Sequence, residues 1–228
     1  MAKEDARYSA FFVAVAAIFV TCLVVSNIIA VKLVLLGDLV LPAAIVIFPV
    51  SYLLADVLTE VYGFRAARRV IWLGFFCNLM AVVAIYVGGY LPAAGFWPDQ
   101  AAYDKILGAA PRILAASFVA YLIGEFANTI IMSRLKVATA GRHLWLRAIG
   151  STLVGQGLDS AVFISIAFSG VMPTPILLGA IVTQWLVKSA YEALATPLTY
   201  AMVALLKRRE GIDTYDREVR LNPFAIWE

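Results

Sequence analysis

The chain has 228 residues, of which 63% are hydrophobic and only 14% charged, and its mean hydropathy is +0.89. A soluble globular domain is about half apolar and about a quarter charged, so this composition excludes a soluble domain of any function. The net charge of +3 at pH 7 is small and calls for no nucleic-acid partner.

A transmembrane helix needs roughly 20 mostly apolar residues. Six such spans are predicted in one domain covering residues 1–228, at about 8–34, 39–63, 70–90, 111–133, 148–170 and 176–206, with 207–228 as a cytosolic tail. The expected fold class is therefore all-α, a polytopic bundle of six transmembrane helices. The first span is too long for a cleavable signal and no small-residue cleavage site follows it. It carries Asn27 and, near its end, Lys32.

The second span contains FPVSYLLADVLTEVYGFRAARR, where Phe48 and Tyr52 precede Asp56 and Glu60. The two carboxylates are four residues apart and so share one helix face. The third span carries Asn78. The following loop, 91–110, contains FWPDQAAYDKILG, whose aromatic residues read as an interfacial belt. The fourth span offers Glu125 and Asn128, and the fifth offers Gln156 and Asp159, with Phe163 one turn further on. In the sixth, Gln184, Lys188 and Glu192 recur every four residues as a polar stripe beside Trp185. Tilt, a protruding turn or a kink near Pro197 would fit this long span to one crossing. Cys22 and Cys77 lie within apolar spans and read as small packing residues.

Orientation follows the placement of Lys and Arg. Lys3, Arg7, Arg65, Arg68, Arg69, Arg134, Lys136, Arg142, Arg147, Lys207, Arg208, Arg209, Arg217 and Arg220 fall on one side of the predicted bundle, whereas only Lys105 and Arg112 fall on the other. Both termini are therefore expected in the cytosol, with a basic rim beside anionic lipid.

An ionisable side chain in mid-bilayer costs roughly 2.5–3.5 kcal/mol on insertion scales, so such groups face a cavity or a partner. Asp56 and Glu125 each precede an arginine by nine residues, and Asn78 and Gln156 each follow one by nine. At about 1.5 Å per residue this places all four roughly 13 Å from the cytosolic rim, near the bilayer midplane. Lys188 is too deep to snorkel and is expected to pair with a carboxylate, with Glu192 and Asp159 as candidates. Asp56, Glu60, Glu125, Asp159 and Glu192 outweigh Lys32 and Lys188. A dry interior will not hold that excess charge, and a ligand rich in N–H groups would relieve it. Phe48, Tyr52, Phe163 and Trp185 are candidates to stack on a flat ring.

With these residues in view, FPVSYLLADVLTEVYG, GEFANTIIMSRLK, STLVGQGLDSAVF and the tail element NPF together resemble the queuosine precursor transporter family of six-span bacterial inner-membrane proteins. The resemblance runs from about residue 26 to 224. It implies import of 7-cyano-7-deazaguanine and 7-aminomethyl-7-deazaguanine for tRNA queuosine salvage, and it places Asp56, Glu60, Glu125, Asn128, Gln156, Asp159 and Lys188 on family motif positions. The expected partners are this substrate and the bilayer, with a homodimer left open. No cofactor, metal or catalytic residue is expected. The alternative is a Mg-dependent membrane phosphotransferase or prenyltransferase using the intramembrane carboxylates. Such an enzyme needs denser acidic clusters than these. No H-E-x-x-H or G-x-S-x-G occurs, and the one histidine, His143, falls in a predicted cytosolic loop.

Overall fold

A computed structural model of the chain describes residues 9–30, 32–36, 39–108, 111–170 and 173–225. Lys3 and Arg7, two members of the predicted basic rim, lie outside the described residues. Six helices and one short hairpin follow in the order α1 Ala10–Ile29, β1 Leu33–Leu36, β2 Leu39–Pro42, α2 Phe48–Tyr90, α3 Gln100–Leu107, α4 Pro111–Ala138, α5 Leu144–Phe168 and α6 Thr174–Glu210. A single 3-10 turn, Ala43–Val46, joins β2 to α2.

Helix α1 starts where the Ser9 hydroxyl accepts from the Phe12 N–H at 2.9 Å, an N-cap that satisfies one of the orphan donors of the first turn. The same hydroxyl donates to the Glu210 carboxylate, so the start of α1 lies beside the end of α6. Four described helices are long and apolar enough to cross a membrane, namely α1, α2, α4 over Ala115–Ala138, and α5.

The predicted spans need three corrections. The first ends at Ile29, and the stretch expected to continue helical to 34 and to resume at 39 forms an antiparallel hairpin pairing Leu33 with Pro42 and Leu36 with Leu39. Its sequence, LVLLGDLVLP, sets two short aliphatic runs about a Gly-Asp pair, which is a hairpin signal embedded in a hydrophobic stretch. The polar gap expected between the second and third spans is not a loop. Helix α2 covers both spans and is broken only at Gly63, whose φ of 81° and ψ of 173° are open to glycine and costly for other residues. The outer loop contains α3, and Tyr103 ties it to α2 by donating to the Ile85 carbonyl at 2.8 Å.

A second reason for glycine at 63 comes from the tail. A Cβ there would stand 2.7 Å from Thr214 Cγ2 and 2.9 Å from Asp216 Oδ1. Residues 211–225 fold back over the break. The Thr214 N–H donates to the Val61 carbonyl at 3.1 Å, and Asp216 Oδ2 accepts from the Phe64 N–H at 2.8 Å and from Ser133 at 2.7 Å. Asp216 thus caps the helical segment that restarts after Gly63. Helix α6 runs through Pro197 without a break.

The apolar core lies between α1, the first segment of α2, α4 and α6, and includes Phe12, Phe19, Leu54, Val57, Val61, Met132 and Val203. Leu73, Phe76, Met80, Val83 and Val87 on the second segment of α2 are exposed, the pattern of a helix whose outer face meets lipid.

Candidate functional site

Helices α4 and α5 cross closely at two glycines. A Cβ on Gly124 would lie 2.8 Å from the Asp159 Cβ and 3.0 Å from the Gly155 carbonyl oxygen; one on Gly155 would lie 2.9 Å from the Asn128 Cβ and 3.0 Å from the Gly124 carbonyl oxygen. Small residues that let backbones touch are the usual device for packing helices in lipid. Here the glycines sit next to the polar residues in sequence, so the crossing sets Glu125 and Asn128 of α4 against Gln156 and Asp159 of α5.

The first segment of α2 and the middle of α6 complete the cluster. Asn128 Nδ2 donates to Asp56 Oδ1 at 2.8 Å, and the Thr152 hydroxyl donates to Glu192 Oε1 at 2.7 Å. The Asp56 and Glu192 carboxyls are within hydrogen-bonding reach of one another, and Tyr52 is within reach of Gln156. Lys188 Nζ lies 2.5 Å from Asp159 Oδ2, which decides between the two partners left open by the sequence. Its ammonium also stands 4.8 Å from the Phe48 ring centroid, and Phe48 meets Tyr52 edge-on at 4.8 Å. Relative exposures are 1% for Asp56, 2% for Glu125 and Gln156, 4% for Asn128, and 7% for Asp159 and Glu192. At that burial a polar atom without a partner is expensive. Glu125 Oε2, Asn128 Oδ1 and Gln156 Oε1 are buried with no hydrogen-bond partner among the described residues. All three are acceptors.

The other sequence candidates fall elsewhere. Glu60 lies in a separate ion cluster, 2.8 Å from Arg147, 2.8 Å from Lys207 and 3.6 Å from Lys136; Asp213 of the tail bridges Lys136 at 2.6 Å and Lys207 at 2.8 Å. Three cations expected at an exposed rim are interior, Lys136 at 2% exposure, Arg147 at 0% and Arg68 at 1%, the last donating to the Asn222 carbonyl of the tail. The Glu60 carboxylate, which Lys136 and Arg147 face, gives those two a reason to be there. At Asp213, partial burial raises the carboxyl pKa, but hydrogen bonds from Lys136 and Lys207 outweigh it and hold the group below its ordinary value.

Asn27 and Asn78 do not join the carboxylates. They line a separate cavity of about 40 Å³ with Val24, Ile85, Tyr86 and Leu107. The second segment of α2 turns this face to α1, because Gly74, one turn before Asn78, packs on Phe19 and Leu23. Gln184 is half-buried on α6. Trp185 donates to the Leu153 carbonyl at 2.8 Å and covers Gly157, and Phe163 meets Phe168 edge-on at 6.2 Å, so both contact α5 residues outside the cluster.

The small residue Gly155, beside the polar stripe in sequence, does allow close helix packing as its size suggests; sequence reasoning missed Gly124 as its partner, Thr152, and the tail residues Asp213, Thr214 and Asp216. The available signals were a glycine immediately before each polar pair, in GEFAN and GQGLD, and the acidic pair in DTYD just after the basic end of α6. Among the described residues no three His, Cys, Asp or Glu side chains come together in a metal-holding arrangement.

A family model described as "Putative vitamin uptake transporter" matches residues 42–202, which include every member of this cluster. The chain belongs to this transporter family. It is 30% identical over 190 residues to a "Probable queuosine precursor transporter" of Bacillus subtilis (strain 168), covering 82% of each chain. It is also 32% identical over 121 residues to the "Queuosine precursor transporter" of Escherichia coli (strain K12), covering 53% of this chain and 52% of that one. No solved structure matches it. The family is one of transporters, which favours transport over the phosphotransferase alternative.

Proposed function

We propose that this chain carries a queuosine precursor, a 7-deazaguanine base such as 7-cyano-7-deazaguanine or 7-aminomethyl-7-deazaguanine, inward across a bacterial inner membrane. The observation that carries the reading is the set of buried acceptors without partners, Glu125 Oε2, Asn128 Oδ1 and Gln156 Oε1, beside Asp56. A 7-deazaguanine presents an N1–H and a 2-amino group on one edge, and a carboxylate accepts such a pair in parallel. The protonated or amide donors of the cluster are left for its carbonyl, and Phe48, beside Lys188, and Tyr52, edge-on to Phe48, are aromatic rings at the site. Asp56, Glu125, Asn128, Gln156, Asp159, Lys188 and Glu192 form the binding layer in this proposal. Glu60, Asn27, Asn78 and Gln184 flank the route.

The chain crosses six times, with the two segments of α2 on either side of Gly63 counted separately and α6 as the last crossing. The neighbouring ends of α1 and α6 support an even number of crossings, and the Lys and Arg asymmetry places that face in the cytosol. At 37 residues α6 is about 55 Å long, more than a bilayer core requires, so its basic end protrudes.

The test is uptake of the labelled cyano and aminomethyl compounds into membrane vesicles without added nucleotide. Asp56→Asn, Glu125→Gln and Asp159→Asn should each lower apparent affinity about ten- to a hundredfold, the loss expected for one charged hydrogen-bond acceptor. Absence of uptake by the parent protein, or unchanged uptake in all three variants, would refute the reading.

A further inference from the structure

The buried cluster holds more acid than the protein neutralises. Asp56 of α2 faces Glu192 of α6, with Glu125 of α4 and Asp159 of α5 around them. Glu60 lies one turn along α2 from Asp56, but it has Lys136, Arg147 and Lys207 for itself. Lys188 is engaged by Asp159. Helix α1 carries no charged residue. Among the described residues, then, no Lys, Arg or His stands at ion-pair distance from Asp56, Glu125 or Glu192.

Neutral donors satisfy one oxygen each on Asp56 and Glu192, from Asn128 and Thr152 respectively. The remaining contact is between the two carboxyls, and an ionised carboxylate is an acceptor only. Two such groups in contact, 1% and 7% exposed, repel unless a proton lies between them. With one proton the repulsion becomes a hydrogen bond that joins α2 to α6.

We propose that Asp56 and Glu192 form a proton-binding site, filled when the bundle closes around the polar layer. The site takes up a proton from water while it is open and holds it, between two carboxyl oxygens, in the closed form. Nothing is oxidised or reduced, and the proton returns to water when the two helices part. This inference deepens the transport reading, since it makes movement through the layer depend on a proton as well as on the base.

Infrared spectroscopy of the purified, reconstituted chain without substrate tests it independently of what is transported. At pH 7 the spectrum should contain the C=O stretch of a protonated carboxylic acid, shifted in D2O. Asp56→Asn and Glu192→Gln should each weaken it by one carboxylic acid, because each variant puts an amide donor opposite the remaining carboxylate and so lets it ionise; what remains belongs to Glu125, which is also buried without a cation. Glu218→Gln, at an exposed tail position, should leave it intact. Should one of the two substitutions prevent folding, weakening or full survival of the band in the other decides the matter. No such band at pH 7, or a band that neither substitution weakens, would overturn the proposal. In proteoliposomes containing a pH dye, the rate of 7-deazaguanine uptake should change severalfold with pH in the parent and lose that dependence in the variants. Uptake that never varies with pH would also overturn the proton site while leaving the transport reading intact. A band with the expected behaviour but no uptake of either compound would instead uphold the proton site and refute the substrate.

Discussion

Gly124→Ala is the smallest perturbation that should disable the site without touching a polar atom. The added Cβ would meet the Asp159 Cβ at 2.8 Å and the Gly155 carbonyl oxygen at 3.0 Å. Carbon contacts are comfortable at about 3.5–4.0 Å, so α4 and α5 must separate by roughly 0.5–1 Å at the crossing. Neither obstacle is the far end of a flexible side chain, so local repacking cannot absorb the clash. Overpacking of this kind costs about 1–3 kcal/mol. The functional cost is larger, because the crossing sets the spacing between Glu125 and Asn128 on one side and Gln156 and Asp159 on the other. A shift of that size takes a hydrogen bond outside its normal range of about 2.7–3.2 Å. Losing one or two charge-assisted bonds to a ligand lowers affinity about tenfold to several hundredfold. Gly155→Ala should do the same from the other helix, with its Cβ 2.9 Å from the Asn128 Cβ. Gly179→Ala on α6 is the control, since nothing lies within 4 Å of its Cβ and alanine is the better helix former by up to about 1 kcal/mol. The assays are thermal stability in detergent and binding of the aminomethyl compound to purified protein. Parent-like affinity and stability in both Gly124→Ala and Gly155→Ala would refute the idea that this crossing holds the binding geometry.

Three further outcomes are expected. Lys188→Met should destabilise by about 3 kcal/mol, the low end for a broken buried pair given the 19% and 10% exposure of its two side chains, and Asp159→Asn should partly rescue it while Glu192→Gln should not; a double-mutant cycle on stability checks this. Asp216→Ala should release the tail from the Gly63 break and expose 211–225 to protease, as read by limited proteolysis. Because the Asp213 carboxyl lies below its ordinary value, its contribution to tail docking is present above the unfolded carboxylate pKa and is lost as pH falls through the folded one; protection of the tail should be flat from about pH 5 to 8 and decline only in stronger acid. Single cysteines at Gly95 and Thr174 should react with an impermeant thiol reagent from outside intact cells, and one at Ala140 should not, and the reverse pattern would invert the proposed orientation.

The membrane class, the long apolar helices and the list of intramembrane polar residues are all legible along the chain, because burial in lipid imposes composition and span length on each segment independently of its neighbours. The nine-residue spacing also grouped Asp56, Glu125 and Gln156, which the fold does bring together, since depth along a helix is a local quantity. Depth says nothing of azimuth. Asn78 shares the predicted depth but faces α1 across Gly74, because the break at Gly63 resets the face of the second half of α2. The hairpin at 33–42 was hidden for a related reason: in an aliphatic run every residue is apolar, so neither period stands out.

What the sequence determined by itself is the inventory: a transporter-like membrane chain with more buried acid than base, and a resemblance that names its family. Tertiary structure alone decided the pairing. Lys188 chose Asp159 over Glu192 because the packing of α6 against α5 places Asp159 within its reach, and Glu192 was left to Thr152 and Asp56. Glu60, which the sequence set beside Asp56 on one stripe, instead collected three cations from α4, α5 and α6. A charge interacts with whatever the fold brings within a few ångströms, whatever the separation along the chain, and that is why the two carboxylates, one helical turn apart, ended in different clusters.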